Sequence, residues 1–185
     1  MGETGKFKAQ LVEDRLIVWD LEEARSLYRL GYYGKPLGIP KPKDFNFNSP
    51  LLLDLLEGLY LAEKGLLQIY KDGKKVSAGR LRREALKAYK NFKLKYPVYR
   101  DLREQGFIVQ PGIKFGCDFA VYQHGPGIDH APYLIQVRRG EEEVDAADLV
   151  RSGRLATTVR KRFIIALPNP KTGQIKYLMF KWWKP

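Results

Sequence analysis

Cysteine occurs once among the 185 residues, at Cys117, and histidine only twice, at His124 and His130. A single thiol excludes an internal disulfide, a cysteine-based zinc cluster and a secreted disulfide framework, and it fits a reducing, cytoplasmic compartment. Long apolar runs are also missing. No stretch approaches the roughly 20 apolar residues that a membrane span needs, and Met1 to Gln10 is too charged and too poor in apolar residues to read as a secretory leader. A soluble protein is expected. Acidic residues are in deficit: 21 Asp and Glu face 33 Lys and Arg, a formal net charge of +12, with a pI near 9.7. That balance favours a polyanionic partner over an acidic small molecule, with nucleic acid as the leading candidate. The densely charged, solvated surface of a heat-adapted protein would give the same composition, so charge alone does not decide.

What is present is apolar content of 44% over 185 residues, enough for one good core or two small ones. The pattern along the chain favours two domains, 1–88 and 89–185, the second holding 17 basic and 9 acidic residues. The first reads as a small α+β domain. Lys6 to Val18 alternates around Glu13-Asp14-Arg15 as a hairpin, and Asp20 is placed to cap a helix over Leu21 to Leu30. Ser49-Pro50 offers an N-cap and a first helical residue, followed by Leu52, Leu55, Leu56, Leu59 and Ala62 at helical spacing. A strand over Leu67 to Tyr70 and a helix capped by Ser77 follow.

The second domain reads as a mixed α/β unit. Tyr89, Phe92, Tyr96 and Leu102 are spaced for a helix around an interruption at Pro97. Gly116 to Gln123 alternates, with Cys117, Phe119 and Val121 on an apolar face and Tyr122 at the strand end on the other. Strands are also expected over Tyr133 to Arg139, Phe163 to Leu167 and Gln174 to Trp183, with a helix over Val144 to Arg160. A central mixed sheet flanked by helices is the natural packing.

Both histidines fall in the loop between two strands of the more basic half. Histidine changes protonation near neutral pH, so it suits proton donation to a leaving alkoxide in phosphodiester cleavage. The surrounding text is specific: Phe115-Gly116-Cys117-Asp118-Phe119-Ala120-Val121-Tyr122, then His130-Ala131-Pro132-Tyr133-Leu134-Ile135-Gln136-Val137, then Val159-Arg160-Lys161-Arg162. This order resembles the catalytic domain of archaeal tRNA-splicing endonucleases over about residues 90–185, and more loosely the N-terminal domain as well. The resemblance implies a restriction-endonuclease-like catalytic domain. It implies an active site of Tyr122, His130 and Lys161, cutting precursor tRNA at a bulge-helix-bulge without a metal ion or any other cofactor.

The implied chemistry is attack by the substrate's own 2′-hydroxyl, leaving a 2′,3′-cyclic phosphate and a 5′-hydroxyl. His130 would be the acid and Lys161 the cation that meets charge growing on the non-bridging oxygens. Tyr122 would be the base or would orient the hydroxyl, since a phenol of ordinary pKa near 10 is mostly protonated at neutral pH. His124 competes for the acid role. Arg154, seven residues before Lys161, and Trp182 would sandwich an extruded base by stacking and cation–π attraction; simple burial of Trp182 in the last strand stays open as an alternative, as does Trp183 in its place. Family members that form homotetramers insert an acidic loop into a basic pocket. Here Pro168-Asn169-Pro170-Lys171-Thr172-Gly173 has no carboxylate, so the expectation is a noncatalytic paralogous subunit in an α2β2 heterotetramer.

Two rivals differ in class. Asp118 with Gln136-Val137-Arg138 loosely imitates the carboxylate and QxK pattern of metal-dependent, restriction-type nucleases, with arginine in the lysine's place and no second carboxylate beside it. A noncatalytic RNA-binding subunit would account for the charge but not for the ordered Tyr, His and Lys.

Overall fold

The computed structural model describes residues 7–40, 42–128, 132–143, 145–147, 150, 153 and 161–179. The chain forms two compact units, Met1–Phe92 and Lys93–Pro185. Among the described residues no helix is long and apolar enough to cross a membrane.

The first unit is built on a sheet of β1 (Phe7–Val12), β2 (Arg15–Val18), β3 (Lys35–Pro36), β4 (Leu51–Leu53), β5 (Leu67–Lys71) and β6 (Lys74–Val76), in the order β3-β4-β2-β1-β5-β6. Helices α1 (Leu21–Gly31), α2 (Leu55–Glu63) and α3 (Ala78–Ala88) accompany it. The β1–β2 hairpin and two of the three expected caps are present: Asp20 accepts from the Glu23 amide and Ser77 from the Arg80 amide.

The helix start at Ser49-Pro50 is not. Leu51–Leu53 is a strand pairing antiparallel with β2, Leu16 opposite Leu53, and Ser49 Oγ donates to the Leu37 carbonyl instead. Helix α2 begins after Asp54, which forms a reciprocal capping box with Glu57. Leu51 and Leu53 are wholly buried beside Leu16 and Val18. The apolar surface removed from water by that pairing outweighs the weak helical signal of a Ser-Pro start.

The second unit opens with α4 (Phe92–Glu104), followed by β7 (Ile108–Pro111), a 3-10 turn at Ile113–Phe115, β8 (Phe119–Tyr122), β9 (Tyr133–Val137), β10 (Arg162–Pro168) and β11 (Ile175–Met179). Pro97 does not interrupt α4; the helix runs through it. An interior proline costs a helix about 3 kcal/mol, and burial of Tyr96, Val98, Tyr99 and Leu102 along one side of α4 offsets this. The strand order is β11-β10-β9-β8-β7. Only β9 and β10 pair in parallel; the other neighbours are antiparallel, so the sheet is mixed as expected.

Both faces of this sheet are covered. Helix α4 lies on the face carrying Phe119: the Tyr99 and Phe119 rings stand 6.1 Å apart, and the Tyr177 hydroxyl of β11 donates to Asp101 at 2.6 Å. The opposite face carries a second cluster of Cys117, Ala120, Leu134, Phe163 and Ile165, on which Phe115, Tyr122 and Leu167 pack. The expected helix over Val144 to Arg160 lies largely outside the described residues.

Candidate active site

Strand register brings two of the expected catalytic residues together. Val121 pairs with Tyr133 across β8 and β9, and Tyr133 pairs with Arg162 across β9 and β10. One step further along each strand, Tyr122, Pro132 and Lys161 form a row at one end of the sheet; the Arg162 amide donating to the Pro132 carbonyl at 2.8 Å continues the ladder there. Two strand spacings separate Tyr122 from Lys161, about 10 Å between backbones.

They also share a face. Tyr122 follows Ala120 by two residues, and Lys161 precedes Phe163 by two; Ala120 and Phe163 belong to one cluster. Arg162 and Tyr133 point the other way, with the guanidinium 5.7 Å from the ring centroid.

Tyr122 departs from expectation in its surroundings. Its face is apolar and packed, and the residue is half-buried against the cluster. The strand starts at Phe119, not Gly116. Cys117 therefore precedes the alternation, and it joins Ala120 instead of Phe119. The phenol ring thus has a fixed seat at the rim of a hydrophobic layer.

Lys161 is positioned by a residue to which the sequence assigned no role. Its ammonium stands over the Phe115 ring at 5.1 Å from the centroid, a cation–π distance. Phe115 ends a tight 3-10 turn whose geometry is held from both sides. Its amide donates to the Gly112 carbonyl, the Gly112 amide donates to the Asp118 carbonyl, and Gly116 follows in the left-handed region at φ 66. A Cβ at Gly112 would fall 2.8 Å from the Cys117 carbonyl oxygen, so glycine is required for that close approach. The signal was a Phe-Gly pair two residues before a strand in the basic half.

His130, Arg154 and Trp182 lie outside the described residues. Two peptide links separate His130 from Pro132 in the row. His124 is described; it is exposed, two residues beyond Tyr122 and past the end of β8.

The comparisons with known proteins bear on this same unit. The family model described as tRNA intron endonuclease, catalytic C-terminal domain, matches residues 92–177; that described as tRNA intron endonuclease, N-terminal domain, matches residues 7–82. A tRNA-splicing endonuclease of Hyperthermus butylicus is 52% identical over 96% of this chain and 99% of its own. The chain belongs to the tRNA intron endonuclease family. Further relatives named tRNA-splicing endonuclease come from Sulfurisphaera tokodaii, 43% identical over 95% of this chain and 98% of its own, and Sulfolobus acidocaldarius, 39% identical over 96% and 98%. In this family member the second unit contains the matched catalytic domain.

Asp118, the carboxylate of the rival metal reading, sits at the far end of β8 from Tyr122, four residues or about 13 Å away. Both of its oxygens are engaged: Oδ1 pairs with Lys95 Nζ at 2.7 Å, and Oδ2 accepts from the Val137 amide at 2.7 Å. It fastens α4 and β8 to β9. Arg138, in the place of the rival's lysine, pairs with Glu142 at 3.4 Å. Beside Asp118, the Cys117 thiol is pushed up to about 11, first by burial and then by the Asp118 charge, and so is no nucleophile at neutral pH.

Proposed function

We propose that Tyr122, His130 and Lys161 form the catalytic triad of a tRNA-splicing endonuclease that cuts precursor tRNA at intron boundaries without a metal ion. On this reading residues 89–185 are the catalytic domain and 1–88 an N-terminal domain without catalytic groups. The observation that carries the proposal is the shared row and face of Tyr122 and Lys161, with Pro132 between them directly before β9. In sequence, His130 stands two residues before Pro132.

Chemically, the 2′-oxygen attacks the adjacent phosphorus, its proton passing to Tyr122 in its phenolate form, which becomes the neutral phenol, or to a water that Tyr122 orients. The P–O5′ bond breaks as His130 gives a proton to the departing oxygen. Lys161 stabilises charge on the non-bridging oxygens, where a fixed cation in a partly desolvated site is worth most. The Phe115 ring beneath its ammonium limits the positions that cation can take. Arg154 and Trp182 clamp an extruded base of a bulge-helix-bulge. The competing metal reading would need Asp118 free of its ties to Lys95 and Val137.

The partner reading is an α2β2 assembly with a noncatalytic paralogous subunit. The loop after β10 is a hydrogen-bonded turn: Asn169 Oδ1 accepts from the Lys171 and Thr172 amides, at 2.9 and 3.2 Å. It presents an exposed lysine and no carboxylate, unsuited to a basic pocket. The edge strand β11 leaves Leu178 and Met179 exposed at 48% and 43%, a surface that a second subunit's strand would cover.

The test is cleavage of an intron-containing precursor tRNA in excess EDTA, with and without the second subunit, with analysis of product ends. Cyclic phosphate ends that persist in EDTA are expected, with a loss of about 10²–10⁴-fold in kcat for His130→Ala and little change for His124→Ala. Activity abolished by EDTA, or indifferent to His130→Ala, would sink the triad.

A further inference from the structure

The chain's positive charge is not spread evenly. Residues 1–70 hold nine Lys and Arg against ten Asp and Glu, a net charge of −1. Residues 71–93 hold nine against two, a net of +7 out of +12 for the whole chain.

The structure gathers most of these charges onto one part of the first unit. Lys71 and Lys74 are directly opposite at the tip of the β5–β6 hairpin, with Lys75 next along β6. Ser77 then turns the chain into α3. On that helix Leu81 and Ala85 are buried, while Arg80, Arg83 and Lys87 are exposed along another side at spacings of three and four residues. With Glu84 and Leu86 these three line a shallow, solvent-open depression.

Among the described residues, most of these cations form no ion pair. Arg82, on the same helix, pairs with Glu63 at 2.6 Å, yet none of Lys71, Lys74, Lys75, Arg80, Arg83 or Lys87 has a carboxylate of a described residue within 4.0 Å. Like charges opposite one another on paired strands, and three more on one helix side, repel and cost stability in the free protein. A polyanion relieves that repulsion and gains entropy from counterion release. Arg80 and Lys87 are about 10 Å apart along the helix axis, a span suited to successive backbone phosphates and too long for one small anion.

We propose that the β5–β6 hairpin and α3 form a second RNA-binding surface that grips the phosphate backbone of a helical stem of the substrate, independently of sequence. The inference rests on the reading of this chain as an enzyme that acts on RNA. It gives the first unit a role in holding substrate, and its residues touch no reacting atom.

The test is the triple variant Arg80→Gln, Arg83→Gln, Lys87→Gln in the full chain with its second subunit. The control neutralises three charges elsewhere in the same unit: Arg15→Gln, Lys35→Gln, Lys64→Gln. Binding of precursor tRNA is measured across a salt series, alongside KM, kcat, thermal unfolding and assembly mass. The triple variant should flatten the slope of log K against log salt by about 3, one per lost phosphate contact. KM should rise several-fold with kcat at saturation unchanged. A minimal substrate trimmed to short stems should be cut equally by wild type and variant.

An unchanged slope and KM overturn the inference, as does an equal effect in the control. Loss of the second subunit from the assembly also overturns it, assigning the surface to a protein partner. If wild type fails to cut the RNA at all, the functional reading has failed first, and the two failures are told apart.

Discussion

Asp118→Asn separates a structural carboxylate from a metal-binding one. The Asp118 side chain is 13% exposed and Lys95 is 19% exposed, their charges 2.7 Å apart, so the pair is largely shielded from water. Removing one member of a buried pair costs about 3–5 kcal/mol, and an exposed pair contributes less than about 1. Asparagine keeps an oxygen able to accept the Val137 amide, so that bond survives and only the ion pair is lost. A cost of about 2 kcal/mol lies between those limits. For a chain of this length it would lower Tm by about 4–8 °C.

The assay is thermal unfolding followed by circular dichroism, beside cleavage rates taken well below the transition, with and without EDTA. Cleavage should stay within about threefold of wild type, a difference of under 1 kcal/mol in activation energy. Adding Lys95→Met removes the ammonium that faced the carboxylate and should recover part of the lost stability. An Asp118→Asn variant with an unaltered Tm and no activity would refute the fastening role and restore the metal reading.

Phe115→Leu removes the ring beneath Lys161, an interaction of about 0.5–2 kcal/mol; kcat should fall about 2–30-fold, with Phe115→Tyr near wild type. An unchanged kcat for Phe115→Leu would show that the ring does not position the lysine. On the alkaline side, burial raises both Cys117, to about 11, and Tyr177, whose proton is also held by Asp101. Groups with raised folded-state pKa values keep their protons where the unfolded chain releases them, so stability is full below the unfolded values and falls as pH rises through the folded ones. Denaturation midpoints should therefore decline from about pH 9, where an unfolded thiol begins to titrate. Cys117→Ala with Tyr177→Phe should flatten that decline; the same slope in the double variant would remove both groups from the account.

Much of the framework was legible in local pattern. Asp20 and Ser77 cap helices because a short polar side chain before an amphipathic run satisfies otherwise unpaired amides, and both are found doing so. The mixed sheet of the second unit also follows its alternating segments. Local signals failed where distant partners decided. Leu51–Leu53 reads as helix until β2 offers it a ladder, and Pro97 reads as a break until the buried side of α4 holds the helix together. For the site, the residue types and their order pointed to Tyr122, His130 and Lys161, and register then set Tyr122 and Lys161 on one face. Phe115 escaped notice because 46 residues separate it from Lys161.

By itself the sequence determined the chain's charge, the scarcity of thiols and histidines, its helix caps and the ordered motif of its family. These are properties of composition and of neighbours along the chain. The tertiary structure alone decided which strand faces are buried, that Asp118 is a fastener, that Lys161 rests on Phe115, and that Arg80, Arg83 and Lys87 share one exposed side of α3. Each of these depends on groups brought together across pairing and packing, whose free energy comes from contacts that no local window of sequence contains.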